Sequence, residues 1–340
     1  MPGLGRFIVA RVLLAIPTIL ILLTIVFIVM RLIPGNPILA MVGMKAPQEY
    51  VEELMHKAGL DKPLYIQYID YLSGIFRGDL GRSLIWGRRL VIAEIMDHFP
   101  ATLELTIFAF IIAVILGTTT GVFGSSLRVI KGWRKFDTLM RIYGIISWTL
   151  FIPWIGMLLQ LIFGVWLRVL PVAGRIDPGL EPPRITGLYI IDSIITHRWD
   201  SLVSALRHLV LPSITLGLVI SGAFTRIVRN NMIEIFKQDF MMTYKAVGVS
   251  TWKFISAAFR NAFIPIMTIM GLQFAYLLAG AVLTETTFSW PGMGTFLVER
   301  ITYADYTTVQ GTVVFFAIIV VTINLLVDII YAFIDPRIRY

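Results

Sequence analysis

The sequence has no cysteine, and only 15% of its residues are charged, against about 25% in an ordinary soluble chain. Without thiols there is no disulfide framework, no thiolate nucleophile and no sulfur-ligated metal. The four histidines, His56, His98, His197 and His208, stand apart and form no H-E-x-x-H or comparable ligand spacing. There is no G-x-S-x-G elbow and no pair of intramembrane aspartates at a recognisable spacing. A G-x-x-x-x-G-K-[ST] loop is also missing, so the chain cannot bind a nucleotide in that way. These absences count against a membrane-embedded enzyme. A self-contained proton- or sodium-driven carrier usually needs ionisable groups or broken helices at midplane in matching halves, and the chain shows no charged midplane cluster and no internal repeat.

What the chain has in abundance is apolar residues. Of its 340 residues 57% are hydrophobic, the mean hydropathy is +0.81, and the formal net charge is +8. That composition belongs to an integral membrane protein, since soluble domains average roughly 45–50% apolar. The basic excess falls largely in loops between apolar runs and gives no reason to expect nucleic acid. A hydrocarbon core needs about 20 residues of helix. Six runs qualify: Val12 to Met30, about Ala101 to Gly124, Leu139 to Trp166 with a kink expected at Pro153, about Leu209 to Ile227, about Ala262 to Thr284, and about Val309 to Phe333. The first is too long for a signal-peptide core and no small-residue cleavage site follows, so a retained span is expected.

The organisation expected is therefore a peripheral span in residues 1–31, an external region over 32–100, and a five-span core over 101–340. Within 32–100, Pro47 and Pro63 open two amphipathic helices, and Val91, Ile92, Ile95, Met96 and Phe99 mark a third. Residues 168–206, rich in Pro and Gly, read as a small external lobe. Lys and Arg concentrate at Arg6 and Arg11, at Arg128 to Lys135, from Arg226 to Arg260, and at Arg337 and Arg339. By the positive-inside rule both termini and the loop over 229–262 lie in the cytoplasm. Trp133 and Trp252 on that side, with Trp166 and Trp290 on the other, fit interfacial belts.

The stretch from Arg226 to Pro265 is basic and amphipathic. Asp239 can cap a short helix beginning at Phe240, and Gly248 suits the left-handed residue that ends one. Ser250 or Thr251 can cap a second helix, where Phe254, Ile255, Ala258, Phe259 and Ala262 recur at helical spacing. Two short helices at a sharp turn form either a solvated connector or a handle for a partner. Among polar residues inside spans, Gln160 and Gln273 either line a path or hold helices together. Asn324 and Asp328 share one face of the last span, and Asp328 is better placed to pair with a basic residue near the interface than to touch substrate. Glu285 is expected to end the fifth span and face an external partner.

A set of motifs along nearly the whole chain carries a family resemblance. They are Gly78-Asp79-Leu80-Gly81-Arg82-Ser83, Ala101-Thr102-Leu103-Glu104-Leu105, Leu170-Pro171-Val172-Ala173-Gly174-Arg175 and Leu211-Pro212-Ser213. The loop supplies Thr243-Tyr244-Lys245-Ala246-Val247-Gly248 and Arg260-Asn261-Ala262-Phe263-Ile264-Pro265. Ala279-Gly280-Ala281-Val282, Phe288-Ser289-Trp290-Pro291-Gly292-Met293-Gly294, Asn324-Leu325-Leu326-Val327-Asp328 and Asp335-Pro336-Arg337-Ile338-Arg339-Tyr340 follow. Together they resemble the permease subunits of ATP-binding-cassette importers of the dipeptide/oligopeptide and nickel group, specifically the larger "B" type. The resemblance implies an all-α integral membrane protein of six transmembrane helices, with the type I importer permease fold and external amphipathic helices, in a prokaryotic inner membrane.

It further implies a coupling loop comprising Asp239, Thr243, Tyr244, Lys245, Ala246, Gly248, Ser250, Arg260, Asn261 and Pro265, seated in a groove of a cytoplasmic ATPase. Gln160, Gln273 and Asn324 become candidates for the translocation path. The implied partners are a homologous second permease, two cytoplasmic ATP-binding subunits that hold the ATP and Mg, and an extracytoplasmic substrate-binding protein. No catalysis and no cofactor are expected in this chain. The implied substrate is a di- or oligopeptide; related permeases carry nickel or oligosaccharides. Tyr244 and Val247 depart from the small and basic residues usual there, which points to a docking surface shaped for its own ATPase.

Overall fold

The computed structural model describes residues 2–32, 46–57, 59–83 and 89–334. Among these residues every regular element is helical, and the one isolated bridge pairs Arg82 with Leu90. The first helix is α1 (Pro2–Leu32), followed by two short helices, α2 (Gln48–Lys57) and α3 (Leu64–Phe76). Then come α4 (Val91–Lys131), α5 (Arg134–Thr149) and α6 (Ile152–Leu159), the last continuing as a π-helical stretch over Gln160–Trp166. A lobe of irregular chain holds α7 (Tyr189–Ile195), and α8 (Trp199–Phe236) follows. The remainder is α9 (Asp239–Ala246), α10 (Thr251–Gly280), α11 (Val282–Thr287), α12 (Met293–Thr302) and α13 (Tyr306–Ile334). Helices α1, α4, α8 and α13 are each long and apolar enough to cross a membrane; counting two bent pairs as one span each brings the number to six.

Both bent pairs contain proline. Between α5 and the Ile152–Trp166 segment the axis turns by 98°, sharper than the kink expected inside one span. Leu150 and Phe151 are extended, and Pro153 sits in the first turn of α6, where a missing N–H is harmless. The second bend, 55°, falls in α10 between Thr251–Phe263 and Pro265–Leu278. Pro100, by contrast, does not interrupt α4. Its absent N–H frees the carbonyl of Met96, and Arg184 Nη2 donates to that oxygen at 2.8 Å. The amphipathic piece expected at Val91–Phe99 is accordingly the beginning of a 41-residue helix, not a separate element. At about 1.5 Å per residue α4 is roughly 60 Å long, twice a hydrocarbon core of about 30 Å.

Helices α4 and α8 form the centre. A Cβ added to Gly117 would lie 2.3 Å from Phe224 Cβ and 2.9 Å from the Ser221 carbonyl, so the two backbones touch there. Thr120 and Thr225 share a 2.7 Å hydrogen bond across the same contact, and Tyr143 of α5 reaches Ser221 at 2.6 Å. The apolar core continues along α8 through Ile220, Phe224, Val228 and Met232 to Phe236, and along α10 through Phe254, Ala258 and Ala262. Helix α1 packs against α13, with Leu23, Val26 and Val314 buried together. Arg11 Nη1 meets Asp328 Oδ2 at 3.1 Å, giving Asp328 the basic partner anticipated for it.

The lobe is tied to α4 by buried charge. Arg175 donates through Nε and Nη2 to Glu104 Oε2, at 3.1 and 2.7 Å, and Nη2 also reaches the Gly187 carbonyl. The other Glu104 oxygen accepts from the Ile190 N–H at 2.9 Å. Asp192 accepts from the N–H groups of Ile185, Thr186 and Gly187 and from the Thr186 hydroxyl. Burial pushes the Asp192 carboxyl up, but these four donors outweigh it and hold its pKa below the ordinary carboxylate value.

Candidate functional site

Helix α8 ends at Phe236, and the chain turns through Lys237 and the extended residue Gln238 into α9. Gln238 therefore holds the cap position expected of Asp239. Asp239 is instead the first helical residue, where its charge complements the positive end of the helix dipole. Helix α9 buries one residue completely, Met241, against the core cluster that contains the stacked rings of Phe236 and Phe254, 5.3 Å apart. Its remaining surface is open. Phe240 and Tyr244 meet edge to face at 6.5 Å, and Met242, Thr243, Lys245 and Ala246 are exposed.

The turn after α9 is fixed by hydrogen bonds. Val249 N–H donates to the Tyr244 carbonyl at 3.4 Å and Gly248 N–H to that of Lys245 at 3.2 Å. This paired pattern is the Schellman ending, which requires a left-handed residue, and Gly248 has φ +72°. Ser250 then occupies the cap position of α10, with its carbonyl accepting from Phe254 N–H and no hydrogen bond from its hydroxyl to the helix end. The result is a short helix anchored by one methionine and a tight turn that exposes Val247 (74%) and Trp252 (77%).

Not all the residues grouped by sequence sit here. Residues 229–236 belong to α8 and 251–262 to α10, so the connection between the two long helices is only 237–250. Arg260 and Asn261 are exposed on α10, where Asn261 Nδ2 donates to the Ala257 carbonyl at 2.8 Å. Pro265 marks the bend, about 20 Å along the helix from its start. Asp239, Thr243, Tyr244, Lys245, Ala246, Gly248 and Ser250 form one surface; Arg260, Asn261 and Pro265 form another, higher on α10.

Beside this surface lies a buried ionic clamp that sequence reading missed. Asp137 of α5 receives Arg229 of α8 in a two-point contact, Nε to Oδ1 at 2.6 Å and Nη2 to Oδ2 at 2.9 Å. Arg128 of α4 adds a third bond at 3.1 Å. One carboxylate thus joins three helices less than three turns before α8 hands over to α9. The sequence signal was there: Asp137 is the first acid after the cations Arg128, Lys131, Arg134 and Lys135.

The path candidates do not converge. Gln160 Nε2 donates to the carbonyls of Val172 at 2.7 Å and Thr287 at 3.1 Å, binding the bent helix to the lobe and to α11, which is the helix-holding role. Gln273 is half-buried on α10. Asn324 Oδ1 is buried on α13, one turn from Asp328, and receives no hydrogen bond among the described residues.

Two expectations about the opposite end are overturned. Glu285 does not face outward: it is fully buried, with Oε1 accepting from Thr102 Oγ1 at 2.6 Å and Oε2 from the N–H groups of Gly294 (2.7 Å) and Thr295 (3.1 Å). It caps α12 from a distance in sequence, and burial pushes its carboxyl up against the pull of those donors. A Cβ at Gly294 would lie 2.6 Å from Val282 Cα, which explains a glycine in this motif. Trp290 is not in an interfacial belt. It is buried, and Nε1 donates to the Ala101 carbonyl at 2.9 Å.

Comparison with known proteins adds to this geometry. Residues 113–340 match the family described as "Binding-protein-dependent transport system inner membrane component", and residues 4–106 match the corresponding N-terminal family. The chain is 40% identical over 337 residues to the di/tripeptide transport system permease protein DppB of Pseudomonas aeruginosa, covering 98% of each chain. It is 37% identical over 334 residues to the dipeptide transport system permease protein DppB of Alkalihalophilus pseudofirmus, covering 97% of this chain and 98% of that one. With the glutathione transport system permease protein GsiC of Escherichia coli it shares 35% identity over 336 residues, covering 98% of this chain and 99% of that one.

Proposed function

The chain belongs to the family of binding-protein-dependent transport system inner membrane components, and from that premise we propose that it is one permease of an ATP-driven peptide importer, worked from the cytoplasm through α9. The observation that carries this reading is the form of α9: a helix of eight residues held by Met241, closed by a left-handed glycine, and otherwise exposed. A short helix laid in a groove is an established recognition mode, and its exposed apolar residues Met242, Tyr244 and Val247 suit a protein surface better than water. The ATP and Mg belong to two partner ATPases, so energy enters as motion delivered to α9.

Asp239, Thr243, Tyr244, Lys245, Ala246, Gly248 and Ser250 form the docking surface in this reading, while Arg260, Asn261 and Pro265 act where α10 bends. The Asp137–Arg229–Arg128 clamp makes α4, α5 and α8 move as one body when α9 is pushed. The end of the bundle that carries α9 is cytoplasmic, as are both termini, in keeping with the basic residues of the α4–α5 turn and the 226–260 stretch. The opposite end, with α3, the lobe near Arg175 and α11–α12, receives the substrate-binding protein. A homologous second permease completes the path, to which Gln273 and Asn324 contribute. A peptide cargo is supported by the names of the relatives, which transport dipeptides, di/tripeptides or glutathione.

Because the chain lacks cysteine, one introduced thiol reports on one place. Val247→Cys in the permease without its ATPases should be reached by a membrane-impermeant thiol reagent only from the cytoplasmic face, and should be shielded once the ATPases are bound. It should also cross-link to an ATPase subunit. Labelling from the outside, or failure to cross-link when ATPases are bound, refutes the assignment.

A further inference from the structure

Far from α9, a cavity of about 420 Å³ opens between the last turn of α1, helix α3 and the first turns of α13. Arg31 enters it from α1, and Gln310 enters from α13. Gln67, which is buried, holds Arg31 in place. Its Oε1 accepts from Arg31 Nε at 2.9 Å, while its Nε2 donates to the carbonyls of Leu60 (3.1 Å) and Lys62 (2.8 Å). The side chain of Gln67 is thus spent on orienting the guanidinium. Among the described residues neither Nη nitrogen of Arg31 has an acceptor. Across the cavity Gln310 Nε2, an amide nitrogen with two donor hydrogens, is buried with only a loosely aligned contact to the Tyr71 hydroxyl among the described residues. A buried donor without a partner costs about 1–3 kcal/mol.

The charges around the rim are not all equivalent. Lys62 and Asp70 neutralise each other at 2.8 Å, while among the described residues Arg31 has no carboxylate partner. Asp79, on another wall, accepts the Gly81 N–H at 2.8 Å and no other hydrogen bond among the described residues. One cation and one anion are therefore open to a ligand in the same cavity. Its place narrows the ligand further. The cavity lies at the ends of two membrane spans, α1 and α13, and α1 exposes Ile21, Ile25 and Ile28 on the turns leading up to it.

We propose that this cavity binds the headgroup of a zwitterionic phospholipid. The phosphodiester accepts from Arg31 and Gln310, the ammonium faces Asp79, and the acyl chains lie along α1. A bidentate guanidinium–phosphate contact is among the strongest in proteins. Such a lipid would fasten α1 to the rest of the bundle. The site does not depend on the transport reading, and its test does not use transport.

The full chain, in its detergent-purified complex and stripped of lipid, is titrated with palmitoyl-oleoyl phosphatidylethanolamine and followed by native mass spectrometry. Wild type should retain at least one lipid. Arg31→Ala should weaken retention about tenfold or more, the range for a hydrogen bond to a charged group. Arg77→Ala, an exposed cation outside the cavity, should leave retention unchanged. Gln310→Leu provides a second, uncharged test should Arg31→Ala fail to assemble, and it should also weaken retention. Equal retention by wild type and both cavity variants overturns the site. Displacement of the lipid by inorganic phosphate at comparable concentration assigns the cavity to a free anion and overturns the lipid.

Discussion

Replacing Gly248 isolates the contribution of one backbone conformation. Its φ of +72° lies in the left-handed region, and no neighbouring heavy atom comes within 4 Å of where a Cβ would stand. Whatever a substitution costs is therefore conformational and not a packing clash. A side chain in this region costs about 1–2 kcal/mol, least for Asn and most for β-branched residues. The expected order is Gly, then Asn within a few tenths of a kcal/mol, Ala at about 1 kcal/mol, and Val at about 2 kcal/mol. Since 1.4 kcal/mol is a factor of ten, the Val variant depopulates the native turn roughly thirtyfold relative to alternatives in which the Tyr244 and Lys245 carbonyls lose their caps. Such alternatives change the angle between α9 and α10. Transporter reconstituted in proteoliposomes with its ATPases and binding protein should show falling uptake per ATP hydrolysed across Asn, Ala and Val. Uptake and hydrolysis at wild-type rates in Gly248→Val would refute the reasoning, and equal losses for Asn and Val would show that φ is not the cause.

Asp137→Ala leaves Arg229 buried without its partner, an expected loss of about 3–5 kcal/mol seen as a lower melting temperature of the purified complex. The apolar pair Asp137→Leu with Arg229→Met should recover most of that loss, and failure to do so would locate the defect elsewhere. Glu285→Ala orphans the Gly294 and Thr295 N–H groups and the Thr102 hydroxyl, for about 2–3 kcal/mol. Glu285→Gln keeps an acceptor and should melt much closer to wild type; equal melting of the two would remove the capping role. Asp192 has a depressed pKa, so its stabilising contribution is present above the ordinary carboxylate value of about 4 and is lost as pH falls through the folded value. Asp192→Asn should be less stable near neutrality and show a flatter acid limb in melting profiles, and an unchanged acid limb would count against the assignment.

The apolar runs determined the fold class, because a span needs about 20 residues and that length is a property of the chain alone. The turn at Gly248 was equally readable, since both its glycine and the short amphipathic stretch before it are local signals. Asp328 and its need for a cation near the interface could be inferred from position along one helix, and Arg11 supplies it. Pro153 announced a break, though only the structure gives its 98° and the extended pair Leu150–Phe151.

Tertiary structure decided what long-range partners decide. Pro100 reads as a helix boundary until Arg184, 84 positions away, takes up the carbonyl that the proline frees. Glu285 reads as an exposed acid until Thr102 and the start of α12 close over it, and Trp290 reads as an interfacial residue until the Ala101 carbonyl claims its N–H. The clamp on Asp137 joins residues 92 apart, and Arg31 meets Gln67 and shares a cavity with Gln310 only when α1, α3 and α13 are packed together. Composition and periodicity record how much surface each segment must bury and on which face. They do not record which distant group satisfies a buried charge, because that pairing exists only after the helices meet.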